Sequence, residues 1–273
     1  MTPRETGALC RGRAGTQHAQ VMAAWRANDM MKRLGTALAV ILLLVPASAH
    51  AQIRQVGSSS SNGGNSTVNF TIGYFALKGL ESRVDEDVLL NDLQNFHPLL
   101  FEIKDFNSAT FGAEYLLAAG SNFEAGVGVG FSQRTVPSVY ADLTRPGNVE
   151  IEQELKLRQV PVSFTGRFLL LPRGSAVEPY IGAGVVAIRY RYSEVGDFID
   201  NSLEIFPARY VAKGVAVGPT VLGGIRAPVS NWTVGGEVRW QKAEGKKLLD
   251  EGFLGDRLDL GGWHANFTFG VRF

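Results

Sequence analysis

From residue 68 onward the chain alternates with a period of two: large apolar side chains take turns with small or polar ones. In an extended strand this places the two sets on opposite faces. The cleanest run is 123–135, with Phe123, Ala125, Val127, Val129 and Phe131 on one face and Glu124, Gly126, Gly128, Gly130, Ser132 and Arg134 on the other. The closing run, 258–273, sets Trp263, Ala265, Phe267, Phe269, Val271 and Phe273 against His264, Asn266, Thr268, Gly270 and Arg272. Runs 68–76, 106–119, 178–192, 214–228 and 232–242 follow the same rule, although the phase of Arg189 to Tyr192 is undecided. Run 154–171 has Val160, Val162, Phe164 and Phe168 on the apolar face, but Leu155 and Leu157 fall out of phase. A β-bulge near Arg158 and Gln159 would reconcile them. These runs predict eight strands.

Their connections alternate in length. Short turns fall near Gly120, Gly174 and Ser230, and longer loops at roughly 77–105, 136–153, 194–212 and 243–257. An even number of strands with short turns at one end and long loops at the other is the pattern of an outer-membrane barrel with both termini on the periplasmic side. From Trp263 to Phe273 is ten residues. At about 3.3 Å per residue and a tilt near 45° they climb roughly 24 Å, close to the apolar band of such a barrel. Trp240 and Trp263 then mark the outer aromatic girdle, and Phe123, Trp232 and Phe273 the inner one. The alternation points Glu114, Glu124, Arg134, Arg167, Arg226, Glu237, Arg239 and Arg272 inward. Eight strands leave a lumen just wide enough for side chains, and poorly hydrated charges there must pair. The expectation is an ion-pair network that plugs the barrel. The alternative is a polar conduit lined by Glu237 and the arginines.

The start of the chain adds an address. Residues 1–29 read as an upstream extension, and 30–51 as a secretory signal: Met30-Met31-Lys32-Arg33, an apolar core from Leu34 to Val45, then Pro46 and Ala49-His50-Ala51. That core is shorter than the roughly 20 residues a spanning helix needs. Cleavage leaves Gln52 to Phe273, 222 residues. Within them, 52–67 is a Ser/Gly/Asn-rich flexible periplasmic tail and 68–273 the barrel. The single cysteine, Cys10, lies upstream of the signal, which removes disulfides and thiol chemistry from the mature chain. The mature part has 21 Lys/Arg against 24 Asp/Glu, a net −3 where the whole chain has +1, so a nucleic-acid partner is not expected. With no long apolar run left, a membrane protein of this kind must be a closed barrel.

On the signal peptide, the alternating strands and the Phe-terminated last strand, the mature chain resembles the eight-stranded outer-membrane barrels of Gram-negative bacteria, the group containing the OmpA transmembrane domain, OmpX and OmpW. The resemblance implies an all-β antiparallel transmembrane barrel in the outer membrane, among outer-membrane lipids and lipopolysaccharide. It also implies that the barrel-assembly machinery reads the last strand, here through Phe267, Phe269, Val271 and Phe273. The expected role is structural or surface-interacting, with an unidentified ligand held by the extracellular loops, above all the long first loop and the aromatic third loop, Phe198 to Tyr210. Narrow passage of small or apolar solutes, as in OmpW-like barrels, is the alternative.

Other patterns carry less. Gly182-Ala-Gly184-Val-Val-Ala187 matches a dinucleotide fingerprint but lies inside a strand, without the helix that motif requires, so no cofactor is expected. Glu81, Asp85, Glu86, Asp87 and Asp92 lack calcium-loop spacing. With Val84, Val88, Leu89, Leu93 and Phe96 they read as a short amphipathic helix whose acids face solvent. Some barrels of this size modify lipid A with a Ser, a His and an acid. The mature chain has only His97, in the first loop, and His264, phased inward beside Asn266 and read as a lumenal hydrogen-bonding group. Neither metal binding nor catalysis is expected.

Overall fold

The computed structural model describes residues 66–200 and 202–273; the upstream extension, the signal and tail residues 52–65 lie outside the described residues. The alternating runs become β1 (Ser66–Leu77), β2 (Ser108–Ala118), β3 (Phe123–Arg145), β4 (Val149–Leu169), β5 (Glu178–Ile199), β6 (Ile205–Val229), β7 (Trp232–Gln241) and β10 (Gly262–Arg272). A short pair, β8 (Glu244–Lys246) and β9 (Arg257–Asp259), forms a separate two-stranded sheet. The order around the ring is β1-β10-β7-β6-β5-β4-β3-β2, all antiparallel, and β1 closes it by pairing with both β10 and β2. At the seam Ser66 N donates to Phe273 O at 3.2 Å and Phe273 N to Ser66 O at 3.0 Å. Ser66 and Thr67, assigned to the tail from sequence, are therefore the first residues of β1. Closure pairs the strands on both sides through the ring, while β3 beyond Ser132 and β6 before Thr220 keep a barrel strand on one side only. No helix among the described residues is long and apolar enough to cross a membrane.

The barrel has two levels that obey opposite rules. In the lower one the outward face is an apolar belt, including Phe70, Ile72, Val127, Phe164, Ile181, Val217, Val238 and Phe267, all exposed. Its inward face is polar. This is the outward-apolar arrangement of a transmembrane barrel. β3, β4, β5 and β6 are 23, 21, 22 and 25 residues long, against 10 to 12 for the others, so they continue well past the belt. On these extensions the pattern inverts: Leu155, Leu157, Ile188, Tyr190, Tyr192 and Ala212 turn inward into one hydrophobic core. Arg158, Arg189, Arg191 and Lys213 turn outward.

That inversion corrects the bulge expected near Arg158 and Gln159. β3 and β4 keep one register from Phe123↔Phe168 to Val139↔Glu152, and the only shift lies beyond, between Val139 and Thr144. Leu155 and Leu157 are in phase with Ser163 and Arg167; the medium around the strand changes, not its phase. The expected loops 136–153 and 194–212 are for the same reason mostly strand. β3 and β4 meet in a tight turn where Gly147 and Asn148 take φ of 89° and 60°, the left-handed region that Gly and Asn tolerate. The β5–β6 tip is an Asx turn, with Asp200 Oδ1 accepting from Ser202 N at 2.8 Å and Glu204 N at 2.9 Å. Residues 258–261 are likewise not part of the last barrel strand: Leu258 and Asp259 belong to β9.

The first connection folds into the upper level and fills it. Its helix α1 (Val88–Gln94) buries Val88 and Leu89 in the same core as Phe106, Phe253 and Leu260. The expectation of a solvated acidic face holds for Glu81, Asp85 and Glu86 and fails for Asp87 and Asp92, which are buried. Phe96, expected on the apolar face, is 87% exposed beyond the helix end. Asp87 is inside because it does three jobs. It caps α1 through Leu89 N at 3.0 Å and Leu90 N at 3.3 Å, pairs with Arg83 at 3.0 and 2.9 Å, and accepts from Asp259 N at 2.6 Å. Lys78 holds Asp259 at 3.0 Å. Loop and β9 are thus pinned together.

Candidate functional site

Inside the belt, the period of two from β2, β3, β4, β5, β6, β7 and β10 brings charges to the axis in two clusters. In the cluster nearer the termini, Arg226 reaches Glu124 with Nη1 at 2.9 Å and Nη2 at 2.6 Å, and Glu178 with Nε at 2.7 Å. Arg272 pairs with the same Glu178, whose other oxygen accepts from Gly174 N at 2.7 Å. In the next cluster Arg167 pairs with Glu114 and, at 2.7 Å, with Glu237. Arg239 sits 2.9 Å from Glu237 and 3.6 Å from Glu114, and donates to Ser163 Oγ at 3.2 Å. The upper cluster sets two guanidinium groups against two carboxylates; the lower does the same, with the partly buried Arg173, which donates to Thr67 Oγ1 at 3.1 Å, as a third guanidinium at its edge.

Tyr180 joins them. Its hydroxyl donates to Glu237 at 3.1 Å, and the guanidinium carbons of Arg167 and Arg226 lie 4.8 and 5.7 Å from its ring centroid. Desolvation of such groups is offset only when their lone pairs and protons are matched, as they largely are here. Above the clusters lies a cavity of about 60 Å³ lined by polar groups including Thr71, Ser132, Gln159 and Asn266. The apolar core of the extensions stands over it.

Of the eight lumenal charges expected, seven meet in these clusters and Arg134 does not. It lies past the end of β2, where β3 is paired with β4 alone, and its Nε donates to the Asp105 carbonyl at 2.9 Å on the exposed rim. Tyr180 points inward as its phase with Gly182 and Gly184 predicts; Glu178 escaped the sequence reading, although carrying that phase back to the strand start would have found it. His264 points inward, but its ring packs on Phe75 with centroids 4.5 Å apart, and Nε2 has no hydrogen-bond partner. The hydrogen-bonding role expected for it is therefore not made through Nε2. His97 lies at the opposite, loop-bearing end, 2.9 Å from Asp142.

On the outer wall just past the belt, Arg158 faces Arg191 across β4 and β5, and Arg191 faces Lys213 across β5 and β6. All three are exposed. Like charges directly opposite on a sheet repel, and none of the three has a carboxylate partner among the described residues. The Arg158 guanidinium carbon lies 5.2 Å from the ring of Phe131, so the basic row rests on the top of the belt.

No family model and no curated protein matches this chain. Among solved structures it is similar to the N-terminal β-barrel domain of Pseudomonas aeruginosa OprF, at 12% identity and a TM-score of 0.38 over 77% of this chain and 99% of that one. It is similar also to Neisserial surface protein A, at 10% identity and a TM-score of 0.43 over 78% of this chain and 100% of that one. A third is Ail, the attachment invasion locus protein of Yersinia pestis, in complex with the heparin analogue sucrose octasulfate, at 12% identity and a TM-score of 0.35 over 77% and 99%.

The aromatic residues expected at the belt's rims lie on the outward face. Trp263 is directly opposite Trp240 across β10 and β7. At the other rim Trp232 stacks on Phe269 with centroids 4.9 Å apart, and Phe123 packs on Phe168 at 5.1 Å. Phe267, Phe269 and Phe273 are exposed on the same face, with Val271 partly so. Among the described residues no group of three or more His, Cys, Asp or Glu side chains stands together as a metal site.

Proposed function

We propose that this is a small integral outer-membrane barrel, exported by the signal at 30–51, whose lumen is sealed and whose extended outer end presents an interaction surface. The observation that carries the reading is the pair of buried ion clusters crossing the axis beneath a continuous apolar core. The cavity above them, about 60 Å³, is small beside the roughly 300–1,000 Å³ of a ligand cleft, which supports a plug over a conduit. In planar bilayers the purified protein is expected to give no steady conductance. Stable channels abolished by Arg239→Met or Glu237→Gln would replace the scaffold reading with the narrow-channel one. Lipid A mass spectra with and without the gene test the enzyme alternative, and an unchanged acylation pattern is expected.

The basic row Arg158, Arg191 and Lys213 favours lipopolysaccharide as a partner. Its position against the belt puts three uncompensated cations at the depth of lipid headgroup phosphates, which would relieve their mutual repulsion. Replacing Arg191 with Glu is expected to weaken binding of purified lipopolysaccharide in a salt-dependent way. The terminal strand, with Phe267, Phe269, Val271 and Phe273 on the lipid face, is the segment we assign to the assembly machinery. Deleting Phe273 is expected to slow outer-membrane insertion.

A further inference from the structure

At the outer end of the barrel, α1, the extensions of β3, β5 and β6, and the 247–256 connection converge on a cavity of about 140 Å³. Tyr140, Phe198, Tyr210 and Phe253 form its walls. The rings of Phe198 and Tyr210 meet edge-on at 5.0 Å, and Tyr210 and Phe253 lie 6.1 Å apart. Two carboxyl groups, Asp92 from α1 and Glu194 from β5, also line it, 2% and 5% exposed. Asp92 Oδ2 and Glu194 Oε1 have no hydrogen-bond donor among the described groups, and no lysine or arginine lines the space.

The other titratable groups around the pair do not neutralise it. Tyr140, Tyr192 and Tyr210 are phenols, Asp87 is held by Arg83, and His97 is held by Asp142. Burial and mutual repulsion push Asp92 well above the usual carboxylate range, and burial carries Glu194 up to about 7. Two adjacent buried carboxyl groups with no cation beside them favour a proton held between the pair, with the Tyr192 hydroxyl next to Glu194. What the site lacks is a positively charged group with several N–H donors and an organic body.

We propose that this cleft binds the primary ammonium group of a small organic amine. Asp92 and Glu194 accept its protons, and the aromatic walls hold the charge and the attached carbons by cation–π and apolar contact. A hydrated metal ion fits less well, because two carboxylates among aromatic rings supply too few oxygens. The volume suits the class: a cavity of roughly 150 Å³ accepts a molecule the size of benzene. Phe206, 36% exposed, and Leu254, 55% exposed, also line the cavity, so it reaches the surface. This inference rests on the reading above only in taking that end to face the outside of the cell.

Isothermal titration of the full mature protein in detergent with n-butylammonium, tetramethylammonium and calcium tests it. Butylammonium is expected to bind with release of a proton, seen as a dependence of the heat on buffer ionisation, and to bind more tightly than the other two. Asp92→Asn and Glu194→Gln are each expected to weaken it about tenfold or more, the worth of a charge-assisted hydrogen bond. Phe206→Ala, at the exposed edge and harmless to folding, is expected to weaken it severalfold. Absence of butylammonium binding, equal binding by Asp92→Asn, or preference for calcium would each overturn the assignment. Membrane-impermeant labelling of a Leu203→Cys variant on whole cells tests sidedness separately, so failure of one reading does not pass for failure of the other.

Discussion

Arg226→Met is the sharpest test of a dry, paired lumen. Met keeps much of the length of the arginine stem while removing the charge and five donors. Both oxygens of Glu124 are held by Arg226, at 2.6 and 2.9 Å, while Arg173, only partly buried, is a further guanidinium in its field. Glu178 keeps Arg272 and the Gly174 amide. The substitution therefore takes from one buried carboxylate the partner that holds both of its oxygens, a loss of about 3–5 kcal/mol. Arg167→Met should cost less, because Glu237 retains Arg239 at 2.9 Å. Glu124→Gln added to Arg226→Met removes the stranded charge, and the pair should be less destabilised than the sum by roughly 2 kcal/mol. Urea unfolding in lipid vesicles, followed by the fluorescence of Trp232, Trp240 and Trp263, measures all four states of this cycle. If Arg226→Met costs less than about 1 kcal/mol and Glu124→Gln gives no rescue, Arg226 is not the partner that holds Glu124 in a dry lumen, because water or the nearby Arg173 has taken its place.

Leu157→Lys should destabilise the outer level by about 2–5 kcal/mol, since it puts a charge in the apolar core, while the neighbouring Arg158→Leu should be nearly neutral; the same unfolding assay orders them. Asp87→Asn should loosen the first connection by about 2–4 kcal/mol through loss of the Arg83 pair, read as faster proteolysis between Lys78 and Phe106 with β-structure retained. For the Asp92–Glu194 pair the folded-state affinity for protons is raised above the unfolded one, so the folded state holds more protons between about pH 4.5 and 7 and stability falls as pH rises through that window. Amide exchange in α1 should accordingly be better protected at pH 5 than at pH 8 after correction for intrinsic rates; the reverse order would contradict the pairing, and Glu194→Gln should flatten the difference.

Strand number, order of the elements and the direction of side chains within the belt were legible because one physical rule, lipid outside and polar groups inside, governs that whole level. Glu114, Glu124, Arg167, Arg226, Glu237, Arg239 and Arg272 could be placed from phase alone. Their partners could not, because period two gives a face and not a height: nothing in the alternation says that Arg226 rather than Arg239 meets Glu124. Arg134 was misread because phase says nothing of where a neighbouring strand stops. The aromatic cleft was legible only in outline: the first loop and the stretch Phe198 to Tyr210 read as the interaction surface, but not that they meet around two carboxyl groups. Asp92 looked like one more acid in a solvated run, and Glu194 fell in a stretch expected to be loop, so no local pattern linked residues 102 positions apart.

Leu155 and Leu157 show what a period-two reading of such a strand requires. In β4 the residues at odd positions point inward from Ile151 to Leu169, yet they change from apolar to polar at Gln159, while the even positions change from charged to apolar beyond Arg158. A bulge is one way to explain a swapped pattern; a swapped solvent is another, and the two differ in register. A bulge shifts the pairing sum by one, whereas passage from lipid to water leaves it untouched. The unbroken pairing from Phe123↔Phe168 to Val139↔Glu152 decides for the solvent. The crossing point lies at the row where Phe131 and Val160 give way to Gln133 and Arg158, the upper edge of the apolar belt. The four long strands therefore carry both levels, which is why the lumenal ion clusters and the aromatic cleft stand on the same strands.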